Sequence, residues 1–135
     1  MTPDLEALAR RAVACAEWRW MPGMLVVGST RFGEWPFRIC DLSRMNLRDD
    51  PGALPDLSDA ATIGCVVAVV REAWREPSEL WEGWVGIHRD HRQLFYAERF
   101  YHDEEGALKA RTVGSGNSEI EAYIAALELR ALWMI

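Results

Sequence analysis

The stretch LPDLSDAATIGCVVAVVREAW, from Leu54 to Trp74, decides the fold, because it holds the one long apolar run with clear boundaries at both ends. Within it, Ala60 to Val70 is a set of eleven weakly or strongly apolar residues, too short to span a bilayer and too long for an ordinary strand. Ser58 or Asp59 is suited to cap a helix start, and Pro77 blocks its continuation. The stretch therefore predicts a central buried helix.

This predicted helix has two different apolar faces when its residues are placed on a 3.6-residue period. The large stripe consists of Ile63, Val66, Val67, Val70 and Trp74. The small stripe consists of Ala61, Gly64, Cys65 and Ala68. Small side chains let another backbone approach closely, so we expect the small stripe to pack on a sheet.

The other segments alternate between helices and strands. The predicted elements are a first helix from Thr2 to Ala16, strands at Met24–Gly28 and Trp35–Cys40, the central helix, strands at Leu80–His88, Gln93–Tyr101 and Leu108–Val113, and a last helix with Ser118 and Glu121 as its capping box. The order α-β-β-α-β-β-β-α predicts one α+β domain over residues 1–135, with helices packed on an antiparallel or mixed sheet.

Composition places the chain among globular proteins, since half of its 135 residues are hydrophobic and 27% are charged. Its net charge of -6 argues against direct nucleic-acid binding and fits a basic protein partner. No signal peptide or membrane segment is recognisable, so we expect a cytoplasmic protein. The odd set Cys15, Cys40 and Cys65 predicts buried free thiols, with a nucleophile or metal ligand as the alternative.

Two arrangements bear on catalysis, and neither is a recognised signature. His88 and His91 bracket a turn and, with His102, would supply nitrogen ligands for a metal. Gly114–Gly116 precedes a helix and would offer backbone amides to a phosphate, but it lacks the lysine and spacing of a P-loop. We therefore expect no enzyme and no cofactor, and keep a small metal-dependent or nucleotide-acting enzyme as the alternative.

Partner contacts are predicted at three places. We expect most of the aromatic residues to lie in the core or on a face of the sheet. Trp84 alternates out of phase with Trp81 and Val85, so it is the best candidate for an exposed anchor. The acidic candidates are Asp49, Asp50, Asp103, Glu104 and Glu105. The first two lie in a predicted loop, Asp41–Pro55, that is either a variable connector or a partner contact.

The apolar C-terminus has two interpretations. Leu132, Trp133, Met134 and Ile135 continue apolar character beyond the core stripe of the last helix. These residues are either buried against the sheet or form a self-association surface. The second possibility predicts a homodimeric structural or assembly component.

Two blocks carry a resemblance. PDLSDAATIGCVVAVVREAW (Pro55–Trp74) and GNSEIEAYIAALE (Gly116–Glu128) resemble small uncharacterised proteins of bacteriophages and prophages, similar to the phage alpha-beta-alpha sandwich domain. The resemblance implies an α/β layered fold but no shared activity or catalytic residues. For function it implies only that the chain acts by binding a host protein. From this, together with the small size, acidic charge, aromatic content and lack of a catalytic motif, we expect a phage-type accessory protein that binds a host protein or complex in the bacterial cytoplasm, such as an inhibitor of a CRISPR complex or another defence system.

Overall fold

The computed structural model describes residues 1–42, 46–75 and 84–133. The helices are α1 (Pro3–Val13), α2 (Ala60–Ala73) and α3 (Glu119–Trp133). The strands are β1 (Leu25–Val27), β2 (Phe37–Arg38), β3 (Leu54–Pro55), β4 (Trp84–Arg89), β5 (Phe95–His102) and β6 (Leu108–Gly116).

The strands form two three-stranded antiparallel sheets, in the orders β2-β1-β3 and β4-β5-β6. The α+β class with packed helices is confirmed. The two-residue strand β3 was not predicted, because Leu54 and Pro55 fall where a loop was expected and Pro55 carries no backbone N–H. Strand β6 is longer than predicted and includes Gly114–Gly116, which the sequence places between the last predicted strand and the last helix.

The start of α2 is joined to the first sheet by a hydrogen-bond network. Asp59 caps the helix by accepting from the Thr62 backbone N–H at 3.0 Å and from its hydroxyl at 2.8 Å. The same Thr62 oxygen accepts the backbone N–H of Leu25 in β1 at 2.8 Å. Arg38 in β2 holds both Asp59 carboxylate oxygens, at 2.9 and 3.0 Å. One buried hydroxyl thus connects helix and sheet.

The Arg38 guanidinium, and after it the Thr62 hydroxyl, hold the pKa of Asp59 well below its usual range. A carboxyl with a lowered folded-state pKa stabilises the fold above its unfolded pKa. That contribution is lost as the pH falls through the folded-state pKa.

The far end of α2 is fixed by Trp74, which is fully buried and donates its indole N–H to the Ala126 carbonyl of α3 at 3.0 Å. Val66 and Val70 of the large stripe are buried as predicted, whereas Ile63 and Val67 are half-buried. Buried residues from α1, α2, α3 and both sheets join in one core cluster. Among the described helices, none is long and apolar enough to cross a membrane.

The predicted role of the small stripe of α2 is wrong. Gly64 is exposed, and a Cβ there would meet no atom within 4 Å. The close approach between helix and sheet occurs instead at Gly114 of β6. A Cβ on Gly114 would lie 2.5 Å from both the Ala122 oxygen and the Ala126 nitrogen of α3. Gly114 therefore lets α3 lie directly on the second sheet.

Replacing Thr62 by valine keeps the side-chain volume but removes the shared hydroxyl. We expect a loss of about 1–3 kcal/mol of unfolding free energy, because the Leu25 N–H is left without its acceptor. Urea denaturation measures the loss, and amide hydrogen exchange should be faster at Leu25. Thr62→Ser keeps the hydroxyl and should leave Leu25 exchange slow. Equal Leu25 exchange in the two variants would contradict the role given to the hydroxyl.

Candidate protein-binding surface

Within the connection between β1 and β2, the segment Ser29–Pro36 exposes two aromatic side chains, and we call this segment the aromatic loop. Trp35 is 83% exposed and Phe32 is 44% exposed, the first being the most exposed large apolar side chain in the described ranges. The Phe32 ring contacts Phe37 of β2 edge to face, with 6.0 Å between the ring centroids. The loop therefore presents an aromatic surface to solvent.

Hydrogen bonds within the aromatic loop fix its shape. Thr30 and Gly33 exchange both backbone hydrogen bonds, at 3.1 and 3.0 Å. The Thr30 hydroxyl donates to the Gly33 carbonyl at 2.9 Å and accepts from the Phe32 N–H at 3.1 Å. Gly33 has φ of +115°, a conformation that glycine adopts without steric cost. A loop held in this way loses little entropy when a partner covers it.

Residues Asp50 and Gly52, which precede β3, contact the aromatic loop and hold it in place. The Asp50 carboxylate accepts the Arg31 backbone N–H at 2.9 Å and lies 3.7 Å from the Arg31 Nε. Next to it, the backbones of Gly52 and Ser29 approach so closely that a Cβ on Gly52 would lie 1.7 Å from the Ser29 oxygen. Asp50 and Gly52, both from the predicted loop Asp41–Pro55, thus hold the aromatic loop in position.

The five acidic candidates have different environments. Asp50 is only 8% exposed and acts inside the protein, so it does not present a carboxylate to a partner. Asp49 is exposed and accepts from the Asn46 side chain at 2.8 Å. The other three occupy the turn between β5 and β6 and are considered next.

Asp103 shapes the turn between β5 and β6. Its carboxylate accepts the backbone N–H groups of Ala107 and Glu105, each at 2.9 Å, and Lys109 Nζ lies 3.3 Å away. The bond from Ala107 is the main reason that the pKa of Asp103 lies below its usual range. Glu104 and Glu105 are exposed at the tip and remain available to a basic partner.

The backbone of Trp84 pairs with Phe100 at one end of the second sheet. Its side chain lies outside the described residues, so its predicted exposure stays a prediction. Met134 and Ile135 also lie outside them. In the rest of the tail, Leu132 is 66% exposed, while Trp133 is 42% exposed and packs on two side chains. The ring centroids of Trp133 and Trp74 are 5.2 Å apart, and the Arg111 guanidinium lies 4.2 Å from the Trp133 centroid.

The three histidines do not come together. His88 pairs with Tyr96 and His91 lies in the adjoining turn, whereas His102 pairs with Leu108 at the other end of β5. Six residues of strand separate these ends, which is about 20 Å. Within residues 1–42, 46–75 and 84–133, no three His, Cys, Asp or Glu side chains are grouped as metal ligands. The three-histidine site is therefore not formed.

The predicted phosphate site at Gly114–Gly116 is also not formed. Gly114 lies against the α3 backbone, and a Cβ on Gly116 would lie 2.5 Å from the Glu121 side chain. These contacts leave no room for a phosphate between strand and helix. Ser118 does cap α3 as predicted, by accepting the Glu121 N–H at 3.2 Å.

The three cysteines are free thiols, as predicted, but they are not all buried. Cys15 and Cys65 are half-buried and Cys40 is exposed. Burial raises the pKa of Cys15 to about 11 and also raises that of Cys65. Both groups are therefore protonated at neutral pH, which is the unreactive form of a thiol.

The exposure of Trp35 was missed because the sequence places it at the start of a predicted strand. Strand β2 begins two residues later, at Phe37. The signal that was present is Pro36, since proline cannot donate to a ladder and favours strand starts.

No protein-family model, curated protein or solved structure shows significant similarity to the chain.

Replacing Asp50 by alanine removes the acceptor of the Arg31 N–H. We expect the aromatic loop to open more often, with amide exchange in residues 30–33 faster by about fivefold, corresponding to about 1 kcal/mol. Hydrogen exchange measured by NMR tests this. Asp49→Ala is the matched control, because among the described residues its carboxylate accepts from the Asn46 side chain and not from the aromatic loop, so the loop should stay unchanged. Equal effects of the two variants would contradict the supporting role of Asp50.

Proposed function

We propose that this chain is a non-enzymatic, phage-type accessory protein that binds a host protein or complex in the bacterial cytoplasm through its aromatic loop. The specific form that we propose is an inhibitor of a bacterial defence system, of the anti-CRISPR type. The resemblance of the blocks Pro55–Trp74 and Gly116–Glu128 to phage proteins supports a phage origin. The exposure of Trp35 on a loop fixed by hydrogen bonds is the observation that carries the binding role.

An exposed tryptophan is well suited to anchor a protein interface. It supplies a large contact area with only two side-chain torsions to immobilise, and tryptophan is enriched among residues whose truncation costs about 2 kcal/mol or more of binding energy. Phe32, held by Phe37, widens this anchor. The Thr30–Gly33 hydrogen bonds and the Asp50 contact prearrange the loop, so less of the interaction energy is spent on ordering it.

The acidic turn between β5 and β6 indicates that the proposed partner has a basic surface. Glu104 and Glu105 are exposed, and the hydrogen bond from the Ala107 backbone lowers the pKa of Asp103 beside them. A nucleic-acid-binding surface on a defence complex is basic, and acidic side chains compete for it by speeding encounter more than by adding affinity. Trp35 therefore accounts for strength of binding, and the acidic turn for choice of partner.

Trp35→Ala should abolish inhibition without unfolding the protein, because the side chain it removes is mostly in solvent. The measurement is phage plating on a bacterial strain with an active CRISPR system that targets the phage and that expresses the protein. We expect the intact protein to restore plating and Trp35→Ala not to restore it.

The control is Leu108→Ala, which truncates an exposed apolar side chain on the second sheet, 59% exposed, and should leave the effect intact. Affinity capture from the same cells should retain the partner with Leu108→Ala and lose it with Trp35→Ala. Full activity of a folded Trp35→Ala protein would overturn the assignment of the aromatic loop.

Self-association through the C-terminus is the second candidate, and the exposure of Leu132 and Trp133 favours it. We predict that Leu132→Glu converts a dimer to a monomer, because a charge is then buried against its own copy. Light scattering measures the change in mass. Trp35→Ala should not alter the mass. Measuring both variants by light scattering and by phage plating therefore distinguishes the self-association surface from the aromatic loop. A monomeric intact protein at high concentration would remove this candidate.

A further inference from the structure

Two adjoining cavities lie behind the end of α1, with volumes of about 570 and 360 Å³. The larger lies between residues 13–20 on one side and Leu42 and residues 46–53 on the other, and the smaller extends toward the end of α2. Ala16, Trp18, Arg19 and Arg48 line both cavities. The volume of the larger cavity is in the range of sites that hold a small organic ligand.

Arg19 and Arg48 bring two positive charges to the wall shared by the cavities. Both side chains are exposed, and neither forms an ion pair or a side-chain hydrogen bond with any other part of the described chain. Most of the arginines that are engaged elsewhere meet a carboxylate or a ring, as Arg38 does with Asp59. In a protein with a net charge of -6, two guanidiniums without a partner carboxylate suit an anionic ligand.

The carboxylates near these arginines favour the larger cavity as the anion site. Asp50 is the acidic residue in its lining, and that carboxylate is already held by Arg31. Glu17 and Glu72 both line the smaller cavity, with Glu72 3.9 Å from Arg75, and would oppose an anion there. The positive excess therefore belongs to the larger cavity.

The same cavity has an aromatic wall. Trp18 is buried and its ring meets that of Trp20 edge to face, with the centroids 5.4 Å apart. Trp20 is half-buried, so part of its surface is open to a planar ring. Aromatic side chains bind nucleobases by stacking, and arginine forks bind phosphate oxygens in pairs.

We propose that this cleft binds a nucleoside 5′-monophosphate, with the phosphate between Arg19 and Arg48 and the base against Trp20. Two guanidiniums match the charge of one terminal phosphate. Asp50 lines the cavity and also holds Arg31 of the aromatic loop, but Trp35 is not in the lining, so we expect nucleotide binding not to depend on Trp35.

The probe is adenosine 5′-monophosphate, titrated into the full chain by calorimetry and followed by tryptophan fluorescence. We expect saturable binding that weakens as salt is added, since the contact with the phosphate is ionic. The double variant Arg19→Ala/Arg48→Ala should bind roughly tenfold or more weakly. Arg92→Ala removes an exposed arginine in the turn after β4 and should bind as the intact chain does, with thermal unfolding checked for each variant.

Adenosine and inorganic phosphate, titrated separately, test the two halves of the proposed ligand. Each should bind more weakly than the whole nucleotide. Inorganic phosphate binding as tightly as the nucleotide would overturn the role of Trp20 and of the base. No binding of millimolar nucleotide to the intact chain would overturn the site, as would an equal loss of affinity in Arg92→Ala and in the double variant. Trp35→Ala should keep its affinity for the nucleotide.

Discussion

The hydroxyl of Thr62 is the interaction on which the arrangement of the first half of the molecule depends. It is fully buried, donates to the Asp59 carboxylate and accepts from the backbone of Leu25. A buried hydroxyl is costly unless it is hydrogen-bonded, so helix and strand must keep this one relation. Arg38 extends the constraint to β2 through its paired contacts with Asp59.

The aromatic loop is a consequence of this arrangement. It leaves β1 two residues after Leu25 and re-enters the sheet at β2, so both of its ends are fixed by strands that the Asp59 network holds. Its middle is held by Asp50 from the loop that precedes α2. A short loop restrained at three points can keep Trp35 in solvent without collapsing onto the core. The surface that we propose for a partner is thus built by two connections and not by any single element.

The second half of the molecule follows a different constraint, the close contact of α3 with β6 at Gly114. The sequence places these glycines between the last predicted strand and the last helix because glycine is common in turns, and nothing local distinguishes that use from backbone packing. The same ambiguity explains the wrong role for Gly64. Small residues permit a close approach, but only the neighbouring element decides whether one takes place.

Local patterns alone determined the central helix, its cap to within the pair Ser58 and Asp59, the cap of α3 at Ser118 and the α+β class, because capping and helix periodicity act over a few residues. The division into two sheets, the strand β3 and the separation of His102 from His88 were decided by tertiary structure. Tertiary structure also decided the exposure of Trp35, the burial of Asp50 and the placement of Arg19 and Arg48 in one cavity wall. Each of these depends on contacts between segments far apart in the chain. Exposure and charge pairing are properties of such contacts, and no short stretch of sequence contains them.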